Sequence, residues 1–354
     1  MKRIAIVGGG ISGCFAAIRI KEKHNDYIVD IFEHNDKLLK KIYATGNGKC
    51  NFANSEAINN QYNDKFANEI VSSFNYEEII KYFKSIGVES KNINSLIYPY
   101  SESAETVAYF LNKRIKELNI NVHLSIEVKD YQNGQLLTDR GTFKYDSLII
   151  SVGGKSSPKL GSNGVFWDVL LKHGYEIKKE SPSLCPIKTK ENTHLVDGLR
   201  HKVDVCLYQG KKLIHEESGE LLFKKDGLSG MVIFNMSHYI NCLDNKKDVT
   251  LHIDFAKDKM GDYESLLNPK LAKYLLDNKL DIHNTIFTFK DFYGFDNSQV
   301  TSGGVILSNL NKNLSSKKEN NIYFIGEVIN IDAICGGYNI MWAFSSAEKV
   351  AESI

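Results

Sequence analysis

The segment Gly8-x-Gly10-x-x-Gly13, set between two hydrophobic patterns of different period, constrains this chain most. Residues 3–7 (Arg-Ile-Ala-Ile-Val) are apolar and β-branched, as expected of a parallel strand buried on both faces. From Ile11 to His24 the apolar residues recur with helical spacing, and residues 28–33 (Ile-Val-Asp-Ile-Phe-Glu) read as a second strand. A strand, a glycine turn, a helix and a strand in this order predict a dinucleotide-binding unit. The first glycine permits the tight turn, the second lets backbone approach a pyrophosphate, and the third lets helix pack on strand. The helix N-terminus then offers free N–H groups and the positive end of its dipole to phosphate. Glu33 follows Gly13 by twenty residues, at the place where a carboxylate accepts hydrogen bonds from ribose hydroxyls.

A chain of 354 residues exceeds what one hydrophobic core usually serves, so two domains are expected. Residues 34–54 form a polar, basic, Gly/Asn-rich loop that needs a functional reason to be ordered. Helical patterns follow near 64–73, 76–86 and 103–117, then a β-meander over about 121–145 and an apolar strand over 146–152 that ends in Gly153-Gly154. Pro182 and Pro186 mark a boundary near residue 180. Beyond it lie alternating strands at 203–208, 212–223 and 248–255, a helix near 229–240 and a helical pattern at 262–280, with the helical segment of the insert set at about 256–296. Thr301-Ser302-Gly303-Gly304 and the Asn/Lys-rich run to Asn320 form a second boundary, and 321–354 reads as strand, glycine loop and helix. The expected division is 1–180 and 318–354 for the nucleotide-binding domain and 181–317 for an insert.

Forty-four basic residues against 43 acidic ones give no overall charge that would favour a polyanion, which leaves only local patches for that purpose. The six cysteines form no C-x-x-C pair and read as free thiols of a reducing compartment. The histidines show no metal-binding spacing, so no metal is expected. The apolar run after Lys2-Arg3 is cut by glycines too early for a secretory leader. No segment approaches the ~18 apolar residues of a membrane span. A cytoplasmic location is expected.

The C-terminal block decides between NAD and FAD. Ile322-Tyr323-Phe324-Ile325-Gly326-Glu327 is an apolar strand ending in Gly-acid, followed by Gly336-Gly337-Tyr338-Asn339 and an amphipathic helix from Ile340. In two-dinucleotide-fold flavoproteins a late strand of this kind sets its acid beside the ribityl chain and pyrophosphate. The next helix points its N-terminus at the flavin pyrimidine, where a dipole stabilises negative charge on the reduced ring. No second G-x-G-x-x-G is present, so a dedicated NAD(P)H domain is not expected.

Several motifs together resemble the BaiN-like, aminoacetone-oxidase-like family of bacterial flavoproteins. They are Gly8 to Gly13, Lys41-Ile42-Tyr43-Ala44-Thr45-Gly46-Asn47-Gly48-Lys49-Cys50-Asn51, Gly153-Gly154-Lys155-Ser156 with Pro158, Gly161-Ser162, Pro182-Ser183-Leu184, Gly219 to Phe223, Gly227 to Gly230, Val300 to Val305, and Gly326-Glu327 through Asn339. The resemblance spans nearly the whole chain. It implies an α/β fold, a Rossmann-type FAD-binding domain interrupted by a β-barrel-like insert with a small helical piece. It also implies flavin redox chemistry, which in the family extends to aminoacetone oxidation, bile-acid-pathway reduction and dihydrouridine formation in ribosomal RNA. Three departures stand out: Lys49 where the family usually has Arg, Phe52-Ala53-Asn54 in place of apolar-Thr-Asn, and a short middle segment that implies a trimmed helical subdomain.

The full set of candidate cofactor contacts is Gly8, Gly10, Ile11, Ser12, Gly13, Glu33, His34, Lys41, Thr45, Gly46, Asn47, Cys50, Asn51, Val128, Gly153, Gly154, Gly326, Glu327, Gly336, Gly337, Tyr338 and Asn339. Cys50 is the candidate general acid, its thiol tuned by Lys49, against the plainer reading of a small buried wedge. Lys40, Lys41 and Lys49 either attract phosphate or form a solvated loop face. Tyr98-Pro99-Tyr100 either stacks near a substrate or packs as a turn. FAD is the expected cofactor and NAD(P)H a candidate donor. The functional readings are reduction of an unsaturated substrate such as ribosomal RNA uracil, oxidation of an amine with oxygen as acceptor, or a flavin-bearing redox sensor or RNA-binding module without turnover.

Overall fold

Apolar β-branched runs at 3–7, 28–33 and 147–150 can be satisfied only inside a parallel sheet covered on both faces. The computed structural model, which describes residues 1–56, 58–59 and 61–354, shows such a sheet. Its five strands lie in the order Ile322–Phe324, Ser147–Ile150, Arg3–Val7, Ile28–Glu33, Asn121–Leu124, all parallel. In chain order this is 3-2-1-4-5, the doubly wound Rossmann order. The order reverses between Arg3–Val7 and Ser147–Ile150, so Gly8 and Ser151 sit at the carboxyl ends of the two strands that flank the switch point. Open α/β sheets bind ligands at that place.

The helix Ile11–Lys23 packs beside the C-terminal helix Tyr338–Ala351. Their contact is an aromatic cluster: Phe15 meets Phe344 and Tyr82 at ring-centroid distances of 4.9 Å each, and Phe83 meets Phe344 at 5.3 Å. Arg19 closes one end with a bidentate pair to the buried Glu348 carboxylate at 2.6 and 3.1 Å.

Compact packing divides the described chain into two units, one of Met1–Glu180 with Gly303–Ile354 and one of Ser181–Ser302. The second unit is built on a closed barrel of Ile187–Thr189, Gly227–Ser229, Lys212–Lys224, Arg200–Gln209, Val249–Asp254 and Thr285–Phe292. Val203, Val205, Leu207, Leu251, Ile253 and Phe287 alternate inward to fill it. Helices Met231–Asn241 and Pro269–Asp277 complete the unit.

Three segments differ from the sequence reading. The expected meander over 121–145 is two structures: Asn121–Leu124 is the edge strand of the parallel sheet, and only 128–144 folds as three antiparallel strands. The helical stretch read over 256–296 holds helices only at Tyr263–Leu266 and Pro269–Asp277, because Thr285–Phe292 alternates β-branched and aromatic residues and closes the barrel. The insert was read as running to 317, whereas the second unit closes at Ser302. Val305, Leu310 and Leu314 bury their side chains in the core of the first unit, which draws 303–317 into it. A short hairpin, Ser90–Ile93 with Leu96–Pro99, is an addition. Its turn residues Asn94 and Ser95 both have left-handed φ (50° and 70°), as a two-residue hairpin loop requires.

Candidate functional site

The site grows from the first turn. Gly8 has φ 107°, and its N–H donates to the Phe32 carbonyl at 2.9 Å. A side chain on Gly13 would begin 2.1 Å from the Gly8 carbonyl oxygen, so helix and strand meet here only because the residue is glycine. Gly10 is different in kind. A Cβ on it would meet no atom within 4 Å, so this backbone faces open space. The helix that starts at Ile11 has no side-chain cap and no acidic residue in its first turn. Its N–H groups and dipole are therefore directed at that space without an internal acceptor.

Glu33 ends the neighbouring strand with 6% exposure. Its carboxylate accepts from Gly9 N–H at 2.7 Å and from the Asn35 backbone and side-chain amides at 2.8 and 2.7 Å. His34 lies 3.3 Å from the same carboxylate, and Ile126, two residues before Val128, donates its N–H to the Glu33 carbonyl. Asn35 and Ser151 were missed in the sequence. Ser151 Oγ donates to the Val7 and Gly8 carbonyls at 2.9 and 2.8 Å and fixes the switch point. A serine directly after the fourth apolar strand was the available signal.

The glycine loop turns sharply: Gly46, Asn47, Gly48 and Cys50 all have φ between 54° and 85°. Thr45 Oγ1 donates to the Ile42 carbonyl, and Lys41 pairs with Glu327 at 2.9 Å. That pair brings the loop to the C-terminal block. There Gly326 has φ 71° and lies so close to Ser12 that a side chain would start 2.6 Å from its hydroxyl. Ser346 Oγ accepts the Gly326 N–H and Trp342 Nε1 donates to its carbonyl. Gly153 sits across from Glu327, with Gly154 next in the chain. Gly336 and Gly337 have φ 121° and 92°; Asn54 approaches the first, and Ala53 and Asn51 approach the second. The helix from Tyr338 begins at Gly337 with no side-chain cap. Asn51 Oδ1, next to Gly337, is buried and has no hydrogen-bond partner.

Three further candidates have these surroundings. Asn339 turns back: its Oδ1 accepts from Ala333 N–H at 3.0 Å and its amide donates to the Ala333 carbonyl at 2.9 Å, which braces the loop before Gly336. Tyr338 is buried, with Tyr62 donating to its carbonyl. Cys50 is fully buried in the core, and burial pushes its thiol up to about 12 against a smaller opposing hydrogen bond from Thr45. Lys49 gives it no activation, since its ammonium pairs with Glu102 at 2.6 Å. This is the setting of a loop wedge. Cys50→Ala is expected to keep flavin reduction and reoxidation rates within about threefold of wild type while costing ~1 kcal/mol of stability. Stopped-flow traces beside a urea titration check both, and a loss of reoxidation alone would restore the acid reading. No disulfide is formed among the described residues.

Fold and site together define a Rossmann-type FAD-dependent oxidoreductase. More narrowly, the chain belongs to the HI0933-like Rossmann-domain family, whose model matches residues 2–353. It is 27% identical over 397 residues to the 3-dehydro-bile acid delta(4,6)-reductase of Clostridium scindens, covering 98% of this chain and 97% of that one. It is 25% identical over 401 residues to the ribosomal RNA dihydrouridine synthase of Haemophilus influenzae, covering 99% and 97%. Among solved structures, 3-ketosteroid delta1-dehydrogenase from Sterolibacterium denitrificans aligns over 100% of both chains with TM-score 0.51 at 10% identity, a likeness of fold. No helix among the described residues is long and apolar enough to cross a membrane.

Proposed function

We propose that this protein is an FAD-dependent reductase of carbon–carbon double bonds conjugated to a carbonyl, with uracil in ribosomal RNA as its substrate and NAD(P)H as its electron donor. The buried Asn51 Oδ1, left without a hydrogen-bond partner beside the uncapped helix at Gly337, carries the reading, as an acceptor that a flavin N–H would satisfy. Gly8, Gly10, Ile11, Ser12 and Gly13 would hold the pyrophosphate, and Glu33, His34 and Val128 the adenosine. Lys41, Gly153, Gly154, Gly326 and Glu327 would line the ribityl chain, and Thr45, Gly46, Asn47, Asn51, Gly336 and Gly337 the ring. FAD held there would supply a hydride. The helix starting at Tyr338 stabilises negative charge next to its N-terminus.

The relatives support the substrate class. A delta(4,6)-reductase of a bile acid and a dihydrouridine synthase both name reductions of such double bonds. For uracil the hydride would go to the carbon β to the carbonyl and a proton to the α carbon, so the two electrons of one donor balance one reduced bond. The bile-acid relative keeps a second reading open, an alicyclic enone. Mass analysis of ribosomal RNA from a deletion strain separates them: a missing dihydrouridine supports uracil, and an unchanged set rules it out. Glu33→Gln removes a charge that would hold ribose hydroxyls, so FAD affinity should fall about 10- to 100-fold. Fluorescence titration of the apoprotein with FAD measures it, and an unchanged affinity would place the adenosine elsewhere.

A further inference from the structure

The outer side of the glycine loop carries features the cofactor site does not use. Tyr43 and Tyr100 are large aromatic residues left 39% and 70% exposed. Each has an ammonium over its face: Lys37 Nζ lies 4.6 Å from the Tyr43 ring centre and Lys91 Nζ 5.4 Å from that of Tyr100. Lys49 and Lys91 converge on one carboxylate, Glu102, at 2.6 Å each. Two cations on one anion leave an excess positive charge, and the lysines in turn hold the Glu102 carboxyl down at about 2, so it stays ionised. Lys37 makes no ion pair among the described residues. The Lys49–Glu102 pair and the approach of Gly46 to the Tyr98 ring join these groups to the loop itself.

We infer that this rim, Tyr43, Tyr100, Lys37, Lys49 and Lys91, docks single-stranded RNA beside the loop. The inference rests on the proposed function. Exposed rings offer stacking platforms to any base, and the surplus ammonium groups meet the phosphates. Such a rim needs no basic protein, which agrees with the near-neutral charge of the chain. Duplex RNA presents no free base faces and is a poor partner for it.

The test uses the flavin-loaded full chain and a fluorescein-labelled oligouridylate, read by anisotropy. Wild type should bind it, with log affinity falling against log salt at a slope of about −1.4, the value for two surplus charges meeting phosphates on a single strand. Tyr43→Ala and Tyr100→Ala should each weaken binding about tenfold, and Lys37→Ala should make the salt slope shallower. Flavin absorbance of each variant confirms that fold and cofactor site persist. A duplex of the same length should bind more weakly. Wild-type protein that ignores the oligonucleotide, or a Tyr43→Ala/Tyr100→Ala protein that binds it as wild type does, overturns the inference. The two readings fail differently. Binding through the rim without reoxidation of the reduced flavin by RNA removes the uracil function and keeps the rim. Reoxidation by RNA with unchanged binding of the variants does the reverse.

Discussion

Gly13→Ala is expected to yield a protein without flavin colour. The added methyl would begin 2.1 Å from the Gly8 carbonyl oxygen and 2.5 Å from Ser151 Oγ, and both are held in place by the sheet. The Gly8 oxygen is backbone and cannot swing aside, so the helix Ile11–Lys23 must move away from the strand. Overpacking of this kind costs about 1–3 kcal/mol of stability. The loss of cofactor should be larger than that figure suggests, because the shift also carries the helix N-terminus away from the space at Gly10. FAD affinity is expected to fall more than about 100-fold, the effect of a misplacement near 1 Å on an oriented site. Gly10→Ala is the informative partner: its methyl meets no protein atom, so it should leave the melting temperature intact and still weaken FAD. Absorbance at saturating FAD together with thermal melts separates the two. A yellow, normally stable Gly13→Ala protein would show that the turn is not tight.

Glu348→Ala should be the most destabilising single change outside the site. The carboxylate is 4% exposed and is shared by Arg19 and Lys23 at 2.6 and 3.0 Å. Arg19 also reaches Glu22, which Arg114 contacts at 2.9 Å, so the first helix, the last helix and Ala104–Glu117 meet in one network. Removal leaves the half-buried Arg19 guanidinium without its bidentate partner, and truncating one member of such a pair costs about 3–5 kcal/mol. Burial alone would raise the Glu348 carboxyl; Arg19 and Lys23 outweigh it and hold it below the ordinary value of 4.5. A depressed native value means that the network's contribution is complete above 4.5 and is lost as pH falls through the lowered native value. Wild-type urea midpoints should therefore drop below that pH, and Glu348→Gln should flatten that part of the profile. A Glu348→Ala midpoint equal to wild type would mean that the network adds nothing to the packing of Phe15 and Phe344.

The nucleotide-binding half was legible because its demands are local. A turn that only glycine can make, a strand that only apolar β-branched residues can fill and a carboxylate at a fixed distance are all written within residues 3–33. The C-terminal block was legible for the same reason, with Gly326, Gly336 and Gly337 all at positive φ. The side chains that hold these glycines were not legible. Ser151 reaches Gly8 from 143 residues away, and Ser346 and Trp342 secure Gly326 from the next helix. The brace that the Asn339 amide makes on Ala333 was not legible either, because it depends on how the loop before Gly336 turns back. Thr285–Phe292 was misread because a short apolar run has no length to reveal its period, and barrel closure with Ile187–Thr189 decides its state. Cys50 showed a reactive residue type in a suggestive motif. Its burial, which sets the thiol, is a property of the folded core alone.

The central claim is that the two glycine blocks hold one FAD in the first unit. The absorption spectrum of the purified protein, followed by chromatography of the cofactor released by heat, tests it most directly. The account predicts flavin bands and FAD as the released species, present in one equivalent per chain. A colourless protein that takes up no FAD on reconstitution would contradict it, and would leave Gly10 and Asn51 as features of packing alone.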